Sequence, residues 1–338
     1  MKRFTLDKLP KKVLAKLDLE TVFMASRIVV AAEKLQLFRK LDKKALTMDE
    51  LGRRVGIHRR HRPVFFGLLI ALGLLKKQGN RYRNSALAEK YFVNHRPIEW
   101  TKIYSSHCIG EYKAYSVLEE VLTSGKHHTE ILGTKPSDYL KVLASDAVWA
   151  RDFTWMLYHY HQVEAKAMAS KLDLRGYRNL LDVGGGSGVM SIALAQKYPR
   201  LKACILDTEL VIRATKKIIR KNGLSGRVKT MVGDMHKEIP EGFDVIMLCD
   251  VDVTDYTDIL KAIYDRLPPG GLVVLAEEFA SEDCSEPMRG MLLVLRSKRF
   301  WLTTRKQVAA VLKKTGFKHV KGQYLCRDTW MFTGRKPA

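Results

Sequence analysis

The chain has 338 residues, 46% of them hydrophobic, so it can bury a large core and we expect two domains. Its longest apolar run, Val64 to Leu75, is too short to span a membrane, and Met1 to Phe4 lead into a charged segment rather than the apolar core of a signal peptide. Five scattered cysteines without a Cys-x-x-Cys pair indicate reduced thiols and argue against a zinc site or a disulfide framework. We therefore expect a cytoplasmic protein without a bound metal.

The positive charge is concentrated at the N-terminal end. The net charge of the chain is +23, and residues 1–100 alone carry 23 Lys and Arg against 9 Asp and Glu, a net of +14 (23 − 9). Such a region is typical either of proteins that bind nucleic acid or of a solvated, lysine-rich surface. We favour the solvated surface.

Residues 1–100 have the pattern of a winged-helix domain. A capping box predicts a helix that starts at Met48, an apolar helix follows from Val64, and Gly79-Asn80 is typical of the turn of a two-stranded wing. A helix that reads DNA needs a polar face, whereas this second helix is apolar on all sides. We therefore expect it in a core or a subunit interface, which predicts a homodimer and no nucleic acid partner.

Residues 101–175 are predicted to form further helices, which link the two domains and contribute to a substrate lid. The stretch around Phe153, Met156 and Tyr160 places aromatic side chains and His159 on several faces of one helix. Aromatic residues at helical spacing usually belong to a core, but here one face can pack inward while another lines a cleft. We take Phe153, Met156 and Tyr160 as candidate substrate contacts.

Residues 176–338 alternate between strand-like apolar runs and helical segments. This alternation predicts an α/β domain with a parallel sheet that is covered on both faces. The predicted strands are Asn179–Val183, Lys202–Leu206, Val228–Val232, Asp244–Cys249 and Leu272–Ala276, with two more in Phe317–Val320 and Tyr324–Thr333.

The ends of the first four strands carry residues that suit a nucleoside ligand. The first strand runs into the glycine-rich turn 184–188 and a helix N-terminus, where the backbone can approach a ligand closely. Asp207 ends the second strand and can accept from both ribose hydroxyls. Asp234 and Met235 follow the third strand and suit an exocyclic amine and a purine face, and the fourth strand ends at Cys249.

These motifs together resemble the class I S-adenosylmethionine (SAM)-dependent methyltransferases. The resemblance rests on Leu-Asp-Val-Gly-Gly-Gly-Ser-Gly at 181–188, Asp207, Gly-Asp-Met at 233–235 and Leu-Pro-Pro-Gly-Gly at 267–271. The preceding winged-helix pattern, with Ala-Leu-Gly-Leu-Leu at 71–75, is similar to the dimerisation domain of small-molecule O-methyltransferases such as the caffeate and hydroxyindole enzymes. The resemblance implies a Rossmann-like sheet of seven strands, a homodimer, SAM as cofactor and no metal.

The same resemblance implies roles for individual residues. Gly184, Gly186 and Gly188 would approach the methionine part of SAM, Asp207 its ribose, and Asp234 and Met235 its adenine. Asp182 and Cys249, at the ends of the first and fourth strands, complete the candidate cofactor site.

The sequence departs from that family where its catalytic base is expected. The family usually has His-Asp-Trp after the fourth strand, whereas this chain has Asp-Val-Asp-Val-Thr-Asp-Tyr at 250–256, and Val253 or Cys249 takes the position of the His. Glu277 remains at the end of the fifth strand, where the family often has Glu, and is a further catalytic candidate. Three explanations stay open: another residue is the base, with His159, His161 and Asp252 as candidates; the acceptor needs little activation; or the chemistry is not methyl transfer.

The sequence as a whole predicts a methyltransferase that acts by O- or C-methylation on a hydrophobic, aromatic small molecule. The apolar run Met288–Val294, with Met291 as a candidate substrate contact, supports a flat acceptor. Two alternatives are a family member that uses the SAM site for non-methyl chemistry and a winged-helix regulator that binds DNA.

Overall fold

The computed structural model describes residues 8–15, 17–93, 112–134, 139–251, 253, 255–286 and 303–338. The chain divides into two compact units, Met1–Tyr112 and Lys113–Ala338. No helix within these ranges is long and apolar enough to cross a membrane.

The N-terminal unit consists of short helices around a small antiparallel sheet. Its strands β1 (Leu46–Thr47), β2 (Leu75–Gln78) and β3 (Arg81–Asn84) are arranged in the order β1-β3-β2. The helices are α1 (Lys11–Leu14), α2 (Leu19–Lys34), α3 (Leu37–Leu41), α4 (Met48–Val55), α5 (Arg62–Ala71) and α6 (Ala86–Ala88), with a 3-10 turn at Arg59–His61 and a π-helical turn at Glu89–Val93.

Local sequence signals explain these elements. Helix α4 begins at Met48 as predicted, because the Thr47 hydroxyl accepts from the Glu50 N–H while Glu50 accepts from the Thr47 N–H at 2.7 Å. Gly79, with φ of 56°, forms the predicted turn between β2 and β3. The apolar helix α5 is buried on one side only: in this single chain Val64 is 65% exposed and Leu68 is 40% exposed.

The second unit begins with helices and continues as alternating strands and helices. The first helices are α7 (Leu118–Ser124), α8 (His128–Ile131), α9 (Tyr139–Ser145), α10 (Ala147–Tyr160) and α11 (Gln162–Lys171). The alternating part consists of β4 (Asn179–Val183), α12 (Val189–Lys197), β5 (Lys202–Asp207), α13 (Glu209–Lys221), β6 (Val228–Val232), β7 (Val245–Cys249), α14 (Tyr256–Arg266), β8 (Leu272–Glu277), α15 (Arg305–Thr315), β9 (Lys318–Cys326) and β10 (Thr329–Arg335).

The predicted seven-stranded α/β sheet is confirmed, in the order β6-β5-β4-β7-β8-β10-β9. Strands β4 to β8 are parallel, whereas β10 is antiparallel to both β8 and β9. Alternate strand residues enter two hydrophobic layers: Leu180 packs with α11 to α13, and Leu181 with α14 and α15. The carboxyl ends of the five parallel strands therefore meet at one edge, where the candidate residues lie.

The boundary predicted between the last two strands is wrong. Tyr324 to Cys326 extend β9, and the final strand starts only at Thr329. The turn lies at Arg327, whose φ of 54° is left-handed although the residue is not a glycine. No glycine or proline marks this turn, so the apolar pattern runs through it.

Candidate active site at the strand ends

The glycine-rich turn after β4 has the left-handed backbone that glycine favours. Gly184, Gly186 and Gly188 have φ of 65°, 53° and 70°. The Gly184 N–H donates to the Leu206 carbonyl at 2.9 Å, which ties the turn to the neighbouring strand β5.

The glycines differ in what a Cβ atom would meet. A Cβ on Gly185 would lie 2.5 Å from Cγ of Asp182, and a Cβ on Gly188 would lie 2.4 Å from Cδ1 of Ile205. On Gly186, the nearest described atom beyond its chain neighbours would be the Gly184 carbonyl oxygen, at 4.0 Å. The protein itself therefore fills the space beside Gly185 and Gly188, whereas Gly186 faces open space.

Asp207 joins this turn to the end of β5. Its Oδ2 accepts from the Gly186 N–H at 2.8 Å, and its Oδ1 accepts from the Thr208 N–H at 2.7 Å. Burial raises the pKa of Asp207, while these two N–H groups lower it. A carboxylate can accept about four hydrogen bonds, so both oxygens can also accept from hydroxyls of a ligand.

Asp182 lies beneath the turn rather than on its open side. It is 1% exposed, and its Oδ2 accepts from the Ser191 hydroxyl at 2.7 Å. Its Oδ1 has no hydrogen-bond partner within the described part of the chain. Burial raises the pKa of Asp182 to about 7, and the neighbouring charge of Asp207 contributes in the same direction.

Thr215 is a supporting residue that the sequence did not reveal. It is fully buried in α13, and its Oγ1 lies 2.6 Å from the Gly186 carbonyl oxygen, to which it donates, and 2.9 Å from the Val211 carbonyl oxygen. A threonine inside an amphipathic helix carries no sequence signal for this contact, because the contact depends on how α13 packs against the turn.

The residues after β6 lie partly against the glycine-rich turn. A Cβ on Gly184 would lie 3.7 Å from Sδ of Met235, which is half-buried. Asp234 is exposed: its Oδ1 accepts from the His236 N–H at 3.0 Å, and its Oδ2 lies 3.8 Å from Nζ of Lys237. The structure thus brings Met235 to the turn and leaves the Asp234 carboxylate open to solvent.

The end of β7 combines a buried thiol with an exposed carboxylate. Burial raises the pKa of the Cys249 thiol well above its ordinary value, and the carboxylates of Asp182, Glu277 and Asp250 add to this effect. Asp250 has a left-handed φ of 53°, and its side chain is 52% exposed. Cys249 is therefore a neutral group at this edge.

A histidine meets Asp250 from the junction of α10 and α11. Nε2 of His161 lies 2.9 Å from Oδ2 of Asp250, without hydrogen-bond alignment, and its Nδ1 lies 4.0 Å from Oε2 of Glu164. Oε1 of Glu164 accepts from Nη1 of Arg327 at 2.9 Å. One polar cluster is thus formed by residues that are distant in sequence: His161, Glu164, Asp250 and Arg327.

The candidate substrate residues of α10 lie in different surroundings. Phe153 stacks on Trp149 with ring centroids 4.7 Å apart, beside Val211, and Met156 is buried. The ring of Tyr160 lies edge-on to His161, with centroids 4.8 Å apart. Of these side chains, Tyr160 is thus in contact with the polar cluster.

Two candidate bases have other neighbours. The ring of His159 is 6.0 Å from that of Trp155 and 5.2 Å from that of Tyr158, both on its own helix. Oε1 of Glu277 accepts from the Glu278 N–H at 2.8 Å. Asp252 and Met291, the remaining candidates, lie outside the described residues. Within the described ranges, no group of three or more His, Cys, Asp or Glu could hold a metal ion.

A family model and two curated relatives of this chain are all methyltransferases. Residues 115–318, more than half of the chain, match the O-methyltransferase domain. The chain is similar to 3-hydroxy-5-methyl-1-naphthoate 3-O-methyltransferase of Streptomyces sahachiroi, with 29% identity over 82% of this chain and 80% of the relative. It is also similar to L-tyrosine C(3)-methyltransferase of Streptomyces lavendulae, with 28% identity over 76% of this chain and 72% of the relative.

The fold is shared with solved structures of low sequence identity. Human N-acetylserotonin methyltransferase in complex with SAM superposes with a TM-score of 0.80 and 20% identity, over 97% of this chain and 99% of the human chain.

Proposed function

This chain belongs to the O-methyltransferase family, and on that basis we propose that it transfers a methyl group from SAM to a hydrophobic, aromatic small molecule. The observation that carries the proposal is the open side of Gly186 next to the Asp207 carboxylate. Beyond its chain neighbours, a Cβ on Gly186 would meet the first described atom at 4.0 Å, while the Gly186 N–H donates to Asp207 at 2.8 Å. This is the room that a nucleoside ligand needs at a strand–turn–helix junction.

We assign the parts of the cofactor to the strand ends in order. Gly184, Gly186 and Gly188 would hold its methionine part, Asp207 its ribose hydroxyls, and Asp234 with Met235 its adenine. The half-buried position of Met235 against Gly184 and the exposed Asp234 carboxylate support this order. When bound, SAM supplies a methyl group on a positively charged sulfur.

Asp182 and Cys249 contribute to the cofactor site from below. Asp182 is buried under Gly185 and is held by Ser191, and Cys249 is buried at the end of the adjacent strand β7. We propose that both shape the floor of the site and that neither removes a proton from the acceptor.

The acceptor is proposed to be an aromatic ring that carries a hydroxyl group. The relatives' names specify a naphthoate for O-methylation and a tyrosine for C-methylation, so both modes fit this chain. The aromatic and apolar residues of α10 support a flat ligand, with Phe153, Met156 and Tyr160 as contacts; Met291 remains a proposal from sequence alone.

The chain's own contribution to such a transfer is alignment and exclusion of water. Methyl transfer is a direct displacement at carbon, so holding two reactants in line can supply ~7–11 kcal/mol of the barrier reduction. A general base typically adds about 10²–10⁴-fold. The candidate bases from the sequence are His159, His161, Asp252 and Glu277.

We further propose that two chains associate through the N-terminal unit, as its winged-helix pattern suggests. Large apolar side chains of α2 and α5 are exposed in the single chain, among them Phe23, Met24, Val64 and Leu68. Helices α2 and α5 pack against each other, and exposed apolar groups of this size favour a protein partner.

Methyl transfer is tested with isotopically labelled SAM and three acceptors: 3-hydroxy-2-naphthoate, 2-naphthol and L-tyrosine. We expect labelled product from at least one naphthol, and loss of the product in Asp207→Asn. If the protein bound neither SAM nor S-adenosylhomocysteine (SAH) in calorimetry and formed no methylated product, the proposed function would be wrong.

A further inference from the structure

The Asp250 carboxylate is placed where an acceptor can meet it. Asp250 follows the last residue of β7, and Val251 lies so close to the glycine-rich turn that a Cβ on Gly184 would be 3.2 Å from Cγ1 of Val251. The Asp250 backbone is fixed by its N–H, which donates to the Ala276 carbonyl at 3.0 Å. Its left-handed φ of 53° directs the side chain away from the regular strand course, a conformation that is uncommon outside functional sites and turns.

His161 is held behind this carboxylate. It occupies the break between α10 and α11, where φ is −89° and ψ is 13°, and its side chain is 14% exposed compared with 52% for Asp250. The carboxylate is therefore the outer group of the pair, and the imidazole the inner one.

A second carboxylate lies on the other side of the imidazole. Glu164 is 5% exposed, and its Oε2 is 4.0 Å from Nδ1 of His161. Arg327, from the turn between β9 and β10, neutralises Glu164 at 2.9 Å, and its Nη1 also lies 3.4 Å from the Tyr160 carbonyl oxygen. Among the described residues, the charged groups around His161 are thus Asp250, Glu164 and Arg327, with the ring of Tyr160 edge-on at 4.8 Å.

We infer that Asp250 and His161 together accept the proton of the acceptor hydroxyl, in place of the base that the family carries after the fourth strand. This inference rests on the proposed function. Asp250 is the residue that touches the acceptor, and His161 is the group on which the proton comes to rest. Glu164 lies behind the imidazole, 4.0 Å from Nδ1, and Arg327 pairs with Glu164, so we assign neither of them contact with the acceptor.

The proposed step is balanced in atoms and charge. The acceptor O–H bond breaks, and its proton passes to the Asp250 carboxylate and on to Nε2 of a neutral His161. The electron pair of the oxygen forms the new bond to the methyl carbon, and the pair of the broken S–C bond stays on sulfur. The products are a methyl ether, SAH and an imidazolium beside the Asp250 carboxylate, which stabilises its charge. The imidazolium then releases its proton to solvent.

Two acceptors of different acidity distinguish proton removal by Asp250 and His161 from a purely structural role of these residues. With 2-naphthol, which is protonated at neutral pH, we expect kcat of Asp250→Asn and His161→Gln to fall about 100-fold, the usual scale of general base catalysis. With 1-nitro-2-naphthol, which is ionised at neutral pH, no proton has to be removed, so both variants should stay within about threefold of the wild-type rate. Asp265→Asn and His319→Gln, on the exposed surface, are the matched controls.

An NMR spectrum of the His161 ring, in the SAH-bound protein at a fixed pH, tests the pair without turnover. The ring signals are assigned by their loss in His161→Gln. In Asp250→Asn these signals should shift, because the group that lies 2.9 Å from Nε2 has changed. Asp265→Asn should leave them in place.

The outcomes are distinguishable. Equal losses with both naphthols, or unchanged His161 ring signals in Asp250→Asn, would overturn the pair while leaving methyl transfer intact. If the wild-type protein bound SAH but methylated neither naphthol, the proposed acceptor class would fail, and the ring signals would still decide whether the pair exists.

Discussion

The glycines of the turn show how one residue type meets different demands at neighbouring positions. Gly188 is required by its φ of 70° and by Ile205, which occupies the place of a Cβ. Gly186 also has a left-handed backbone, but beyond its chain neighbours the Gly184 carbonyl oxygen is the nearest described atom to the place of a Cβ, at 4.0 Å. Packing thus accounts for Gly188, and the proposed cofactor accounts for Gly186.

Alanine substitutions should distinguish the glycine that packing requires, Gly188, from the glycine that the proposed cofactor requires, Gly186. Gly186→Ala should cost about 1 kcal/mol of folding stability, from its left-handed backbone, and should weaken SAH binding at least tenfold because the methyl group enters ligand space. Gly188→Ala should cost more stability, since it overpacks the core as well. Thermal unfolding and calorimetry measure both effects. If Gly186→Ala bound SAH like the wild type, the cofactor would not lie over this turn.

The raised pKa of Asp182 makes stability depend on pH. The folded state holds this proton up to about pH 7, whereas an unfolded aspartate releases it near its ordinary value of 3.8. Between these values the folded state binds more protons, so the free energy of unfolding falls as pH rises and levels off above about 7. The loss from this group is up to about 4 kcal/mol, at ~1.4 kcal/mol per pKa unit.

Urea unfolding of the wild type and Asp182→Asn from pH 4 to pH 8 measures this dependence. The asparagine variant keeps an acceptor for Ser191 and should lose the part of the slope that belongs to Asp182. Equal slopes for both proteins would contradict the assignment.

At the level of helices and strands, the sequence predicted the elements that have a local residue pattern. The parallel strands were found from their apolar runs, and α4 from its capping box. The turn at Arg327 was missed because it lacks glycine and proline. The contact between His161 and Asp250 could not be predicted, since it joins a helix break to a strand end 89 positions away (250 − 161).

Helix α13 supports the turn through one side chain, and this support can be removed. Thr215→Val keeps the shape of the residue but loses the hydrogen bond to the Gly186 carbonyl. We expect a loss of about 1 kcal/mol in stability and about fivefold weaker SAH binding. Thr154→Val is the control, because the buried Thr154 donates only within its own helix in the described structure, to the Ala150 carbonyl at 2.7 Å. Equal SAH affinities for the two variants would contradict a role of α13 in the site.

For the whole molecule, the proposed dimer accounts for the apolar surface of the N-terminal unit. The double variant Val64→Glu, Leu68→Glu places charges on the exposed face of α5 and should convert a dimer into a monomer. Light scattering after size-exclusion chromatography measures the mass, with Leu122→Glu, an exposed apolar residue of the second unit, as control. A wild-type protein that elutes as a monomer would contradict the proposal.

A crystal structure with bound SAH tests the central claim, that this chain holds its cofactor at the ends of β4, β5 and β6. We predict the methionine part over Gly184 to Gly188, the ribose hydroxyls within hydrogen-bond distance of the Asp207 carboxylate, and the adenine beside Asp234 and Met235. SAH bound elsewhere, or with its ribose away from Asp207, would contradict the account.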